Sequence, residues 1–184
     1  MKTMSPIKRM TMAAVCAALC VVLPIAFHSI PDAGSVFLPM HIPVLICGMI
    51  CGWPYGLLCG LVGPMLSSAL TGMPPVAYLP AMMVECGVYG LVSGLMLKVI
   101  RTKHTYADLY IALVAAMLAG RVVSGIAKAL IFTPGLAMSA WVTASFVTAL
   151  PGIVIQLVFL PSVVFTLMKA RVIPQRYAKG ELAA

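Results

Sequence analysis

Charge is what this sequence has least of. Of 184 residues, 12 are Lys or Arg and 4 are Asp or Glu, against 62% in the hydrophobic set and a mean hydropathy of +1.10. Soluble chains carry about 25% charged residues, because a packed globule must still present a wettable surface. So few charges leave no such surface to build, and an ordinary soluble domain is excluded. The shortage is sharpest for acids, and the imbalance gives a net charge of +8. In a soluble chain that excess would suggest nucleic acid; in an apolar one the first question is where the cations stand.

Catalytic signatures are also missing. There is no H-E-x-x-H or G-x-S-x-G motif, and Ser67, Ser68, Ser124 and His41 show no spacing that marks a nucleophile and its base. Gly52, Gly56, Gly60 and Gly63 fall at helical spacing, which suits close helix packing rather than a phosphate-cradling loop. No C-x-x-C occurs. Cys16, Cys20, Cys47, Cys51, Cys59 and Cys86 all lie in apolar runs, where cysteine behaves as a small hydrophobe. The i,i+4 pairs Cys16/Cys20 and Cys47/Cys51 leave a soft-metal reading open beside that one. A small-residue cleavage pattern is absent after the first apolar run, where Pro24, Phe27 and His28 stand, so this helix is expected to be retained.

What the sequence does contain is six apolar runs, at 10–27, 40–51, 55–70, 77–99, 109–132 and 142–168. A spanning helix needs about 20 mostly apolar residues, so six spans joined by short connections would use most of the chain. The second and third are short and flank the GWPYG turn at 52–56; two short spans are expected there rather than a re-entrant hairpin. The cations support this count. Lys2, Lys8 and Arg9 precede the first run, Lys98, Arg101 and Lys103 follow the fourth, and Lys169, Arg171, Arg176 and Lys179 follow the sixth. With six spans these ten sites share one side, and the loops 29–39, 71–76 and 133–141 on the other side hold no Lys or Arg. Basic residues mark the cytoplasmic side, so both termini are expected inside. The expected fold is an all-α integral membrane bundle of six helices, N-in and C-in, forming one domain over 1–184.

The outer loops carry turn chemistry, HSIPDAGS at 28–35 and TGMPP at 71–75, with apolar Val36, Phe37, Leu38 and Met73 alongside. Such a loop can fold down as a lid or be a plain connection, and both readings stay open.

Three ionisable residues sit where a bilayer makes them costly: Glu85, Arg121 and Lys128. Arg121, Ser124, Gly125 and Lys128 make one helical stripe, and Tyr78, Met82, Glu85 and Tyr89 another, so the two are expected to face each other. At 1.5 Å per residue from the outer helix ends, Lys128 lies roughly 6 Å deep, Glu85 roughly 12 Å, Arg121 roughly 18 Å and Gln156 roughly 20 Å. His41 opens the second run near the same outer face. If Glu85 neutralises one cation and Gln156 bonds to backbone, the group is internal glue. Two cations against one carboxylate still leave a positive charge, which an anionic ligand would balance in a bidentate grip by Arg121. On the first run, Ala13, Ala14, Ala17 and Ala18 allow close approach of another helix, either within the bundle or from a partner.

These residues together resemble the substrate-binding S components of energy-coupling factor (ECF) vitamin transporters. The resemblance covers nearly the whole chain and is carried by FLPMHIPVLICG at 37–48, GWPYG at 52–56, GPMLSSALTGMPP at 63–75 and the four alanines. It implies a subunit that captures a micronutrient from outside under capping loops. That subunit docks through its alanine face on a transmembrane coupling (T) protein driven by two cytoplasmic ATPases, in the bacterial cell membrane. It assigns Ala13, Ala14, Ala17 and Ala18 to the coupling interface and the loop 29–39 to a gate. The biotin group's glycine-rich signature is absent. So is the N-terminal Met-His metal site of nickel and cobalt members: the chain begins Met1-Lys2-Thr3, which argues against metal uptake. No cofactor or metal is expected on this chain, and ATP is used by the partners.

The expected ligand is an anionic water-soluble vitamin, pantothenate first, folate or nicotinate next. Arg121 and Lys128 are its expected anchors, Glu85 an acceptor or charge partner, and Tyr78, Tyr89, Ser124, Gln156 and His41 wall or gate contacts. The rival reading is a membrane enzyme acting on a lipid or isoprenoid with Glu85 and His41 as acid and base.

Overall fold

The structure, a computed structural model, describes residues 4–27, 33–132 and 137–177, and every regular element among them is helical. α1 is Pro6–Ala26, α2 Ala33–Phe37, α3 His41–Cys51, α4 Trp53–Thr71 and α5 Leu79–Val99. α6, Thr105–Ala127, runs on as a π-helical turn over Lys128–Phe132; α7, Met138–Val142, runs on likewise over Thr143–Thr148; α8 is Leu150–Lys169.

The helix ends follow local chemistry. Ser5 caps α1, its hydroxyl accepting from the Lys8 amide at 3.3 Å, and Pro6 opens the helix where a missing N–H costs nothing. Gly52, at φ 95°, turns the chain from α3 directly into α4. The apolar run at 142–168, expected as one helix, is broken at Ala149. Pro151 at the start of α8 lacks an N–H and disfavours helical backbone before it, so the chain passes from a π-helical stretch into a new helix.

Five segments are long and apolar enough to cross a membrane: Pro6–Ala26, Gly34–Cys51, Leu79–Val99, Thr105–Phe132 and Leu150–Lys169. α4 has 19 residues, but Pro54, Gly56, Gly60, Gly63 and Pro64 dilute its hydropathy, and it is not among them. α5 lies at the centre, against α3, α4 and α6, and α1 packs on α3 and α4. α4 and α5 come together because Gly56 and Gly90 meet backbone to backbone, where a Cβ on either would overlap the other helix. α8 is held more loosely against α6, α3 and α2. Val15, Val22 and Ile25 of α1 and Val154, Val158 and Phe159 of α8 point outward, as lipid-facing side chains do. All six cysteines are buried and free, and among the described residues no group of three or more His, Cys, Asp or Glu is arranged to hold a metal ion.

The end of the bundle where α6 begins is tied by Asp108, which is fully buried. Its Oδ1 accepts from the Thr102 amide at 2.9 Å and the Thr102 hydroxyl at 2.7 Å, and its Oδ2 from Arg176 and Tyr177 beyond α8. Arg176 also donates to the Ile100 carbonyl, so the segment after α8 is strapped to the α5–α6 loop.

Candidate ligand-binding site

At the other end of α6 the polar residues converge on one carboxylate. Glu85 on α5 accepts from the Tyr89 hydroxyl, one turn along, at 2.9 Å (Oε1), and from the Ser124 hydroxyl of α6 at 3.0 Å (Oε2). Lys128 Nζ stands 3.7 Å from Oε2, and His41 Nε2, at the first turn of α3, 3.8 Å from Oε1. The stripes of α5 and α6 therefore meet across their interface, as helical spacing requires of residues three, four and seven apart.

Arg121 does not reach the carboxylate. Its Nε donates to the Tyr89 hydroxyl at 3.2 Å, making Tyr89 a relay between Glu85 and the guanidinium. The residue is 3% exposed, its Cζ lies over the Phe146 ring 5.5 Å from the centroid, and its Nη1 is buried with no hydrogen-bond partner. Tyr89 can take this place because residue 120 is glycine; a Cβ there would overlap the phenol ring. The His41 ring tilts against Tyr89 with centroids 5.1 Å apart, and neither of its nitrogens closes a hydrogen bond.

The chain after α6 covers this stripe. The Trp141 indole sits in a notch left by Gly125, one turn from Arg121, and meets Phe146 edge-on at 5.9 Å. Its Nε1 is buried and unpartnered. On the α2 side, Leu38 adopts a left-handed backbone (φ 52°), a conformation that costs a non-glycine residue on the order of 1 kcal/mol. That turn aims the Leu38 carbonyl at two donors, the His41 amide at 3.1 Å and Gln156 Nε2 of α8 at 3.5 Å. Gln156 Oε1 is left buried and unpartnered.

The structure thus gathers Glu85, Tyr89, Arg121, Ser124, Lys128 and His41, with Gln156 joined through Leu38. Tyr78 stands apart: as the residue before α5 it is 68% exposed, although helical spacing places it on the Glu85 face. The four alanines divide as well. Ala14 and Ala18 are exposed while Ala13 and Ala17 pack on the core, because residues i and i+1 differ by about 100° around a helix. Of the proposed gate, 29–32 lie outside the described residues; 33–37 form α2, whose Val36 and Phe37 backbone rests on Gly152 of α8, and 38–39 make the turn into α3. Sequence reasoning missed Trp141 and Phe146. The available signal was Gly125, a small residue in the middle of a cationic stripe.

Fold and site together define a multi-pass α-helical membrane protein that keeps a buried guanidinium and several unpaired polar atoms under aromatic cover. Residues 8–170 match the family described as ECF transporter, substrate-specific component, and the chain belongs to that family. No curated protein and no solved structure gives a significant match. Members of the family are substrate-binding subunits of transporters and not enzymes, so the acid–base reading of Glu85 and His41 falls away. Membership also implies association with T and ATPase subunits.

Proposed function

We propose that this chain captures a small anionic vitamin from outside a bacterial cell and confers specificity on an ATP-driven importer. Pantothenate is the first choice, with folate or nicotinate next. The observation that carries this reading is the Arg121 guanidinium, buried, bonded only to a neutral phenol and an aromatic face, with Nη1 unpartnered. Glu85 is committed to Lys128, Tyr89 and Ser124. Among the described residues this buried cation meets no counter-charge, which is costly, and a ligand carboxylate supplies both the charge and an acceptor.

In this reading Arg121 grips the carboxylate and Lys128, held beside Glu85, lines the same wall. Trp141, Gln156 and His41 offer their unpartnered atoms to the rest of the ligand, and the 29–39 segment gates entry. α4 completes six spans, both termini are cytoplasmic, and the whole chain is one substrate-binding unit without a cofactor of its own. Ala14 and Ala18 present the face that docks on the T subunit.

The test is to purify the protein, identify co-purified small molecules by mass spectrometry, and titrate a vitamin panel against wild type and Arg121→Ala. Binding of an anionic vitamin that Arg121→Ala loses is expected. No vitamin bound, or an anionic ligand bound equally by Arg121→Ala, overturns the proposal.

A further inference from the structure

An open polar cavity lies at the far end of α3 from His41, where α1 and α4 begin. It measures about 350 Å³ and is lined by Met4, Pro6, Arg9 and Tyr55. Arg9 Nε is buried there and makes no hydrogen bond. Lys8 stands beside it, and neither α1 nor α4 has an acidic residue in its first turn. Cations in the first turn of a helix oppose the positive end of its dipole, so their placement at this end calls for a negative partner. Among the described residues none is supplied: the two carboxylates, Glu85 and Asp108, are occupied elsewhere. Tyr55 lines the cavity and Trp53, 39% exposed, opens the same helix two residues earlier, and such aromatics sit at the headgroup level of a bilayer.

We infer that this cavity binds a phosphate group, with Arg9 as its ligand and the headgroup of an anionic phospholipid as its occupant. The guanidinium fork matches phosphate geometry bidentately, Tyr55 offers a hydroxyl, and Met4 and Pro6 form an apolar margin against which glycerol carbons can rest. The site is separate from the vitamin site and its test does not depend on that reading.

The experiment uses the full chain in nanodiscs, with Arg9→Gln and Lys8→Gln as variants that each remove one charge. In discs of mixed phosphatidylglycerol and phosphatidylcholine, bound lipid is counted by native mass spectrometry after partial delipidation. In discs of phosphatidylcholine alone, inorganic phosphate is titrated against thermal stability. Wild type is expected to retain phosphatidylglycerol about tenfold better than Arg9→Gln, and Lys8→Gln to lose about threefold at most. A phosphate-dependent rise in melting temperature that Arg9→Gln loses would support the same site with a free phosphate species as its occupant. Equal losses in the two variants point to diffuse attraction by the basic end and overturn the site. So does an Arg9→Gln protein that retains lipid and responds to phosphate like the wild type.

Discussion

The partition of charge around Glu85 makes an asymmetric prediction about two cations only seven residues apart. Lys128 Nζ lies 3.7 Å from the carboxylate, a long contact without a hydrogen bond from a side chain 30% exposed, and ion pairs open to solvent are worth about 1 kcal/mol or less. Lys128→Gln should therefore weaken binding of the anionic ligand by less than about fivefold. Glu85 keeps its bonds from Tyr89 and Ser124 in that variant, so the site should hold its shape. Arg121 is 3% exposed and has an unused donor. Truncating one partner of a buried charge pair costs about 2–5 kcal/mol, so Arg121→Gln should weaken binding by on the order of a hundredfold or more. The chain has two tryptophans, and Trp53→Phe leaves Trp141, whose indole covers the Arg121 stripe, as the only one. Fluorescence titrations with pantothenate, folate and nicotinate in that background, checked by calorimetry, give both affinities. Equal losses in the two variants, or a larger loss in Lys128→Gln, would refute the assignment of Glu85 to Lys128 and of the free charge to Arg121.

Three further perturbations probe other parts of the molecule. Tyr89→Phe keeps the ring against Gly120 but removes the hydroxyl that links Glu85 to Arg121, and it should cost about tenfold in affinity by calorimetry with helical content unchanged. Unchanged affinity would show that Arg121 needs no relay. Ala14→Leu with Ala18→Leu should leave vitamin binding intact and abolish ATP-dependent uptake in cells that also make the T and ATPase subunits; retained uptake would remove the alanine face from the interface. Arg176→Ala strips the cation from a fully buried Asp108 and should destabilise the fold by about 3–5 kcal/mol, read as a lower melting temperature at unchanged vitamin affinity. A melting temperature equal to the wild type would show that the strap carries no stability.

Periodicity made much of this legible. The α5–α6 pairing followed from Arg121, Ser124, Lys128, Glu85 and Tyr89 falling on helical faces, because ionisable groups in a bilayer have nowhere to go but toward one another. The same rule misplaced Tyr78, since spacing describes an infinite helix and α5 begins one residue later. Hydropathy gave the run at 142–168 as continuous, because Pro151 lowers a window average only slightly while deleting a backbone donor. The left-handed turn at Leu38 was out of reach of pattern reading, and Gly125 marked a notch without saying which ring fills it. Both depend on segments far apart in sequence, Leu38 serving Gln156 and Gly125 receiving a ring from beyond α6.

The shortage of acids ties these features together. Asp108 and Glu85, the two carboxylates among the described residues, engage the two ends of α6, at Asp108 itself and at Lys128, about 30 Å apart at 1.5 Å per residue. At the first, Asp108 meets one guanidinium, and hydroxyl and amide donors fill its remaining lone pairs, so the charges close and the result is a strap. At the second, one carboxylate stands among two cations and a histidine, and the charges do not close. Both networks are buried and both are built from the same residue types. Among the described residues, what separates a structural tie from a binding site is the remainder: the Asp108 carboxylate is matched by the Arg176 guanidinium, while around Glu85 one positive charge, on Arg121, is left over. In a low-dielectric interior that remainder is expensive until an anion arrives, so the energy a closed network would have given to folding is reserved for the ligand.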